Sequence, residues 1–349
     1  ISSPVMRGQD LAVDPEGKFI RDVVRLAIKP IWNAYNFFTL YANADGIKAS
    51  CHPAFIAGSP SMLQEIPQQV RDDSTNIMDR YILAKCAQAV DTIRTALDAY
   101  DTPAACDAVT QFFDVLNNWY IRRSKERFWA EEKSADKQAA YDTLYTVLET
   151  MCRAAAPLLP LTLDEIYRGL TGESVHLSSF PELPKAILGE SSLDRPRIGF
   201  ADSGDDELIT QMDWVRDVCN AALAIRNKVN IRVRQPLQSL QIVSNNPVLM
   251  QALLKLDSMW ATYASIIMSE INVKMLPVGN ARLEDYATLK LSLNNPVLGK
   301  RLPEKMKQMI PASKKGEWKP VDGTVEICGE KLLAGEYSLL LEPKPEYKD

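Results

Sequence analysis

The sequence predicts a multidomain α and β protein: an N-terminal all-α helical bundle followed by a smaller mixed α/β domain. Three observations carry this. Apolar residues recur at helical spacing through most of the first half of the chain. A stretch rich in Pro, Gly, Ser and Asp follows at 182–206, which reads as a linker. Beyond it, short alternating runs of strand character sit between helical ones.

Residues 1–20 carry Pro4, Gly8, Pro15 and Gly17 and read as loop and turn. From Phe19 to Ala42 the apolar positions Val23, Val24, Ala27, Ile31, Ala34, Tyr35 and Phe38 fit a helix, which Pro30 should kink or divide. Residues 43–73 form a long polar connection with Pro53, Pro60 and Pro67. A second helix fits Asn76 to Ala99, with Ser74, Thr75 or Asn76 as cap. A third starts after Pro103 and continues through "LNNWYIRRSKERFW", and a fourth covers 134–155. Pro157 and Pro160 break the chain before a short helix that Thr162 and Glu165 could open as a capping box. The bundle, over 19–181, ends near Pro181.

The second domain takes 207–349. Leu208 to Arg226 reads as an amphipathic helix, and "VNIRVRQPLQSLQIV" alternates as strands do. Val248 to Ile267 is helical, "INVKMLPV" and "YATLKLSLN" are strand-like, and Leu298 to Met309 is a basic helix. "TVEICGEKLLAGEYSLLLEP" reads as a closing hairpin, with Gly329 and Gly335 near its turn.

Composition excludes some classes of function. Net charge is −5, so a protein that coats nucleic acid by bulk charge is ruled out, and any RNA surface must be local. The six cysteines form no CxxC pair, and only Cys51–His52 is suggestive of a metal ligand pair; no metal site is expected. Scattered thiols point to a reducing, cytoplasmic setting. No apolar run approaches the roughly 20 residues of a membrane span, so no membrane partner is expected. The chain begins with Ile1 rather than Met, which reads as a fragment or a processed product.

Four basic residues and four aromatics share positions 116–129. On a regular helix, Phe112, Leu116, Trp119 and Tyr120 share a face that Arg123 and Arg127 continue. This pattern suits a helix running out beyond its bundle. Arg122, Lys125 and Trp129 make a second stripe, an indole beside two cations, suited to stacking on an unpaired base with phosphates alongside. The competing reading is a solvated helix end whose cations favour the C-terminal dipole. A second basic run, "RNKVNIRVR", holds Arg226, Lys228, Arg232 and Arg234. If 229–233 is a strand, Ile231 and Val233 point one way and Arg232 and Arg234 the other; the alternative is a half-buried strand with a polar outer face. A third run, "LGKRLPEKMKQM", fits a solvated helix.

Catalytic constellations are missing. The two histidines, His52 and His176, lie in loop-like sequence, and there is no GxSxG, Walker loop or GxGxxG.

"IWNAYNFFTLYANADG", "MDRYILAK", "LNNWYIRRSKERFW", "AAPLLPLTLDEIYRGLTGESVHL" and "IRVRQPLQSLQIV…INVK", preceded by "SSPVMRGQDL", occur in that order. Together they closely resemble the C-terminal half of the isoleucyl-tRNA synthetases, a class I aminoacyl-tRNA synthetase family, over nearly the whole chain. The family's HIGH and KMSKS signatures are absent. The resemblance implies a connecting segment from a catalytic domain at 1–18, an anticodon-binding bundle at 19–181 and a C-terminal α/β domain. It implies a monomer that binds the anticodon arm of tRNA(Ile) alongside its own catalytic domain. ATP and magnesium would bind elsewhere in the parent enzyme, and no cofactor is expected in this segment. The RNA-binding candidates that helical and strand geometry then supply are Arg122, Arg123, Lys125, Arg127, Trp129, Arg232 and Arg234. A reading from another class is a free-standing, non-catalytic tRNA-binding or protein-interaction module derived from a synthetase.

Overall fold

The computed structural model describes residues 17–47, 49, 76–182, 204–243, 258–277, 283–302, 305–321, 324–333 and 335–344. The chain divides into two compact units, Ile1–Asp213 and Trp214–Asp349, each described by itself. The expectations that fall on 1–16, 50–75, 183–203 and 244–257, including Cys51 and His52, lie outside the described residues.

In the first unit, α1 (Lys18–Val23) passes through a π-helical turn (Val24–Ile28) into α2 (Lys29–Asp45). The kink expected from Pro30 takes this form. Pro30 sits in the first turn of α2, and the wider π-turn lies just ahead of it, where the missing N–H interrupts the regular hydrogen-bond ladder. α3 (Ile77–Asp98) starts where Asn76 accepts a hydrogen bond from Met78 N at 3.0 Å. It packs against both α4 (Thr102–Val115) and α6 (Ala135–Ala155), so Tyr81, Ile82, Cys86, Val90 and Ile93 are buried around more of its circumference than one stripe would require. Asp101 caps α4 through Ala104 N, and Ser134 caps α6 through Lys137 N.

A second π-turn (Leu116–Ile121) joins α4 to α5 (Arg122–Trp129). Asn117 in it donates to the carbonyls of Pro30 at 2.9 Å and Phe113 at 2.8 Å, which fastens the start of α2 to the end of α4. α7 (Pro160–Thr171) packs on α6 and is followed by a 3-10 turn (Val175–Leu177). Gly169 allows the closest approach in this layer: a Cβ there would lie 1.9 Å from the Tyr35 hydroxyl oxygen.

α8 (Gly204–Lys228) contains the point, between Asp213 and Trp214, at which the two units are divided. The first turns of α8 belong to the bundle because Asp213 accepts from Tyr81 Oη at 2.7 Å and pairs with Lys85 Nζ at 3.1 Å.

In the second unit, β1 (Leu237–Ser239) pairs in parallel with β2 (Val273–Met275), which follows α9 (Ser258–Ile271). After α10 (Leu283–Tyr286) comes β3 (Ala287–Leu293). Then come α11 (Asn295–Arg301), α12 (Met306–Lys315), β4 (Trp318–Val321), β5 (Thr324–Ile327), β6 (Glu330–Leu332) and β7 (Tyr337–Pro343). The basic helix expected over 298–309 is thus two helices. The final hairpin is also divided. β5 and β6 pair across Cys328 and Gly329, which adopt φ of 50° and 76° as a two-residue turn demands. β7 leaves them at Gly335 and pairs instead with β3. Leu291, Leu298, Met309, Val325, Ile327 and Leu332 form a buried cluster among α11, α12 and the strands β3, β5 and β6. Arg301 grips both carboxylate oxygens of the buried Glu336, at 2.6 and 2.7 Å, and Leu333 N donates to the same group at 2.7 Å.

Candidate nucleic-acid interface

The π-turn at Leu116–Ile121 sets the geometry of the site. It adds a residue to one turn, so the chain leaves it out of phase with α4. Trp119, Tyr120 and Ile121 are consequently all buried, three in a row. Within α5 the regular step of about 100° holds, and it places Arg122, Lys125 and Trp129 inside an arc of about 60° on the solvent side. Ser124 and Phe128 face the opposite way and are buried.

α5 therefore does not run out beyond its bundle, as the pattern suggested. Its end is anchored. The Phe128 ring meets Phe37 at 5.1 Å and Tyr141 at 5.0 Å, both edge to face. Immediately after it, the carbonyl of Ala130 accepts from Lys137 Nζ at 2.6 Å. That buried ammonium is neutralised by Asp45, 2.7 Å away at the end of α2, which also accepts from Tyr141 Oη at 2.6 Å. Those two hydrogen bonds, Lys137's first, hold the Asp45 carboxyl below its ordinary pKa. Trp129 thus sits between two fixed residues while its own ring remains 54% exposed. Lys125 Nζ lies over the Trp129 ring, 5.7 Å from its centroid, and the Tyr41 ring of α2 stands 6.4 Å away, tilted by 50°.

The other candidates on this helix divide. Arg122 is exposed, and its Nε donates to the Asn118 carbonyl at 2.8 Å. Arg123 folds back so that its guanidinium lies 5.3 Å from the centre of the buried Trp119 ring. Arg127 does not continue the surface at all. Its Nη1 and Nη2 each donate to one oxygen of Asp79 at 2.7 Å, and its Nε donates to Asp136 at 2.8 Å. Asp79 is wholly buried and also accepts from Tyr120 Oη at 2.7 Å. Burial opposes the charge on Arg127, but the bonds to Asp79 and Asp136 outweigh it and raise its pKa above the ordinary value. Burial, with the Asp79 charge second, raises the Tyr120 hydroxyl well above its usual range. This arginine is a structural tie between α3, α5 and α6. It lies about 140° round α5 from Arg122, on the side turned towards α3 and α6, and that angle separates it from the surface positions.

The sequence reading missed Asp79, Asp136, Lys137 and Tyr41. A signal existed for Asp79: it occupies a core position in "IMDRYILAK", one turn ahead of Leu83, and a carboxylate there requires a buried partner.

Arg232 and Arg234 lie in the second unit, exposed, but not on a strand. Residues 229–236 form turns and β1 begins only at Leu237, so the alternation of Ile231 and Val233 against Arg232 and Arg234 does not hold. The cause is Arg226. Its guanidinium is buried and donates to the carbonyls of Arg232, Gln235, Ile271 and Asn272 at 2.7 to 3.2 Å, which holds 232–235 in a turn, and the Asn272 carbonyl also accepts from Leu237 N at 3.0 Å where β1 begins.

Among the described residues, no group of three or more His, Cys, Asp or Glu side chains could hold a metal ion, and no helix is long and apolar enough to cross a membrane.

This arrangement, a helical bundle with an aromatic and cationic face at the end of a π-interrupted helix, coincides with a family match. Residues 79–242 match the model of the anticodon-binding domain of tRNA ligases. The matched stretch runs from the first turn of α3 through α8 to just beyond β1. Over its whole length the chain is similar to isoleucine–tRNA ligases. It is 44% identical over 356 residues to that of Rickettsia bellii (strain OSU 85-389), covering all of this chain and 29% of that protein. Against that of Rickettsia canadensis it is 42% identical over 372 residues, covering all of this chain and 31% of that protein. For Wolbachia pipientis wMel the identity is 41% over 373 residues, 99% of this chain and 30% of that protein. The chain matches their C-terminal part and spans less than a third of their length.

Proposed function

We propose that this chain is the tRNA-binding C-terminal portion of an isoleucine–tRNA ligase. In the whole enzyme, isoleucine is activated with ATP and esterified to tRNA(Ile). This portion grips the anticodon arm so that the acceptor end reaches the catalytic domain. ATP and magnesium belong to that other domain, and the protein works as a cytoplasmic monomer. The observation that carries the reading is the coincidence of the anticodon-binding match with the outward face of α5, where an exposed Trp129 is flanked by Lys125 and Arg122. Such a face fits an unpaired base on the indole with backbone phosphates on the cations.

Filter binding of the chain to tRNA(Ile) and to a non-cognate tRNA tests the reading, with isoleucine-dependent ATP–pyrophosphate exchange run in parallel. The expected result is tighter binding of tRNA(Ile) and no exchange above a blank. Equal affinity for both tRNAs would contradict anticodon reading, and measurable exchange would contradict the assignment of activation to another domain.

A further inference from the structure

The second unit contains a cationic device outside the α5 face. Between Asp217 and Asp257 the chain carries no acidic residue, yet it holds Arg226, Lys228, Arg232 and Arg234 within nine positions. No aromatic residue falls between Trp214 and Trp260. Arg226, in the last turn of α8, is only 4% exposed. Four backbone carbonyls hold its guanidinium: those of Arg232 at 3.2 Å, Gln235 at 3.0 Å, Ile271 at 2.7 Å and Asn272 at 3.1 Å. Ile271 is the last residue of α9, so part of this charge is balanced by the negative end of a helix dipole. The same loop is tied by Ile231 N to the Arg226 carbonyl at 2.8 Å and by Asn272 Nδ2 to the Val233 carbonyl at 3.0 Å.

A buried guanidinium spent on loop carbonyls is a costly way to shape a turn. The product of that shaping is an ordered loop on which Lys228, Arg232 and Arg234 are all exposed. Three like charges fixed close together in sequence repel one another, and a polyanion relieves that repulsion. With no aromatic ring on the loop there is nothing to stack an unpaired base on, in contrast to α5. Donors without a stacking platform suit the phosphates of a paired stem.

We propose that the loop 228–234 is a backbone clamp for duplex RNA. Lys228, Arg232 and Arg234 contact phosphates, and Arg226 is the positioning residue that holds them in place. The inference rests on the tRNA-binding reading and adds to it a second, sequence-independent grip.

The test uses the full chain and three probes: tRNA(Ile), a non-cognate tRNA and a blunt RNA duplex without loops. The triple variant Lys228→Ala, Arg232→Ala, Arg234→Ala is expected to bind all three about tenfold or more weakly, by a similar factor for each, with the salt slope reduced by about 2 to 3. Trp129→Ala should weaken tRNA binding and leave the duplex unaffected. Arg226→Gln should lower the salt slope although the three surface cations remain. Far-UV circular dichroism and melting establish that each variant is folded. Duplex affinity and slope unchanged in the triple variant, with Trp129→Ala still impaired on tRNA, would overturn the clamp and leave the tRNA reading standing. An unchanged slope in folded Arg226→Gln would overturn its positioning role. Failure of the wild-type chain to bind any of the three RNAs would overturn both.

Discussion

Arg127 places one guanidinium nitrogen on each carboxylate oxygen of Asp79, both at 2.7 Å, inside the bundle. Asp79 belongs to the first turn of α3 and Arg127 to the last turn of α5, so a single ion pair fixes the register of two helices. Bidentate geometry and a third bond from Tyr120 leave the carboxylate satisfied. Asp79→Ala would take away the buried carboxylate of Arg127, leaving it only the exposed Asp136, and should destabilise the first unit by up to about 3–5 kcal/mol. The double variant Asp79→Leu, Arg127→Met should be less damaging than the sum of its single changes, since both charges leave together. Urea denaturation of the four proteins checks this, and additive losses would show that the pair is not coupled.

The two tryptophans of the α5 region should separate cleanly. Trp129→Ala should weaken tRNA binding by about 1–3 kcal/mol with little change in salt slope, as the loss of one base stack does. Trp119 is 4% exposed, and its indole nitrogen makes no hydrogen bond to a described residue. Trp119→Ala should therefore act on folding, by roughly 3–5 kcal/mol. Thermal melts and filter binding on both variants decide it. A Trp119→Ala protein that melts normally but binds tRNA poorly would reverse the assignment.

Asp164 ties α7 to the 3-10 turn after it, accepting from Ser174 Oγ at 2.6 Å, Val175 N at 2.9 Å and Arg168 Nε at 2.7 Å. The hydrogen bond from Ser174, then that from Arg168, lowers its pKa from an ordinary 3.8 to about 2. A depressed carboxyl stabilises the fold above its ordinary pKa, and that contribution is lost as pH falls from about 4 to about 2. Denaturation of wild type and Asp164→Asn at pH 5 and pH 2.5 should show a stability gap at the higher pH that narrows at the lower. A gap of constant size would contradict the linkage.

Gly169 faces the Tyr35 hydroxyl so closely that a methyl group fits only if the tyrosine ring or α7 shifts. Gly169→Ala should push α7 away from α2 and cost about 1–3 kcal/mol. Tyr35→Phe removes the oxygen that the methyl group would strike and should recover part of that loss in the double variant. Chemical denaturation measures both, and a Gly169→Ala protein as stable as wild type would refute the contact.

The helices were legible because their signals are local. Asn76 stands where a cap belongs, and the apolar spacing of "YDTLYTVLETMC" persists in the folded bundle, although the helix expected after Pro103 begins at Thr102 behind an Asp101 cap that was not read. The π-turn at 116–121 was not legible. It changes phase by one residue without changing composition, and Arg127, which projection places on the core-facing stripe, read as solvated because the buried partner that holds it there, Asp79, lies 48 residues away in the chain. The strand expected at 229–233 failed for a related reason. Alternation is only a local pattern, and Arg226 draws the loop's carbonyls inward through bonds that no short window reveals. The stripe of Arg122, Lys125 and Trp129 was correctly grouped because all three lie within regular α5, after the phase change.

Whether the outward face of α5 binds the anticodon arm of tRNA(Ile) is decided by the salt dependence of tRNA(Ile) affinity for wild type and for the folded double charge reversal Arg122→Glu, Lys125→Glu. Binding should weaken, and the plot of log affinity against log salt should become shallower by about 1 to 2, because fewer counterions are released. Affinity and slope both unchanged in the folded variant would contradict binding at that face.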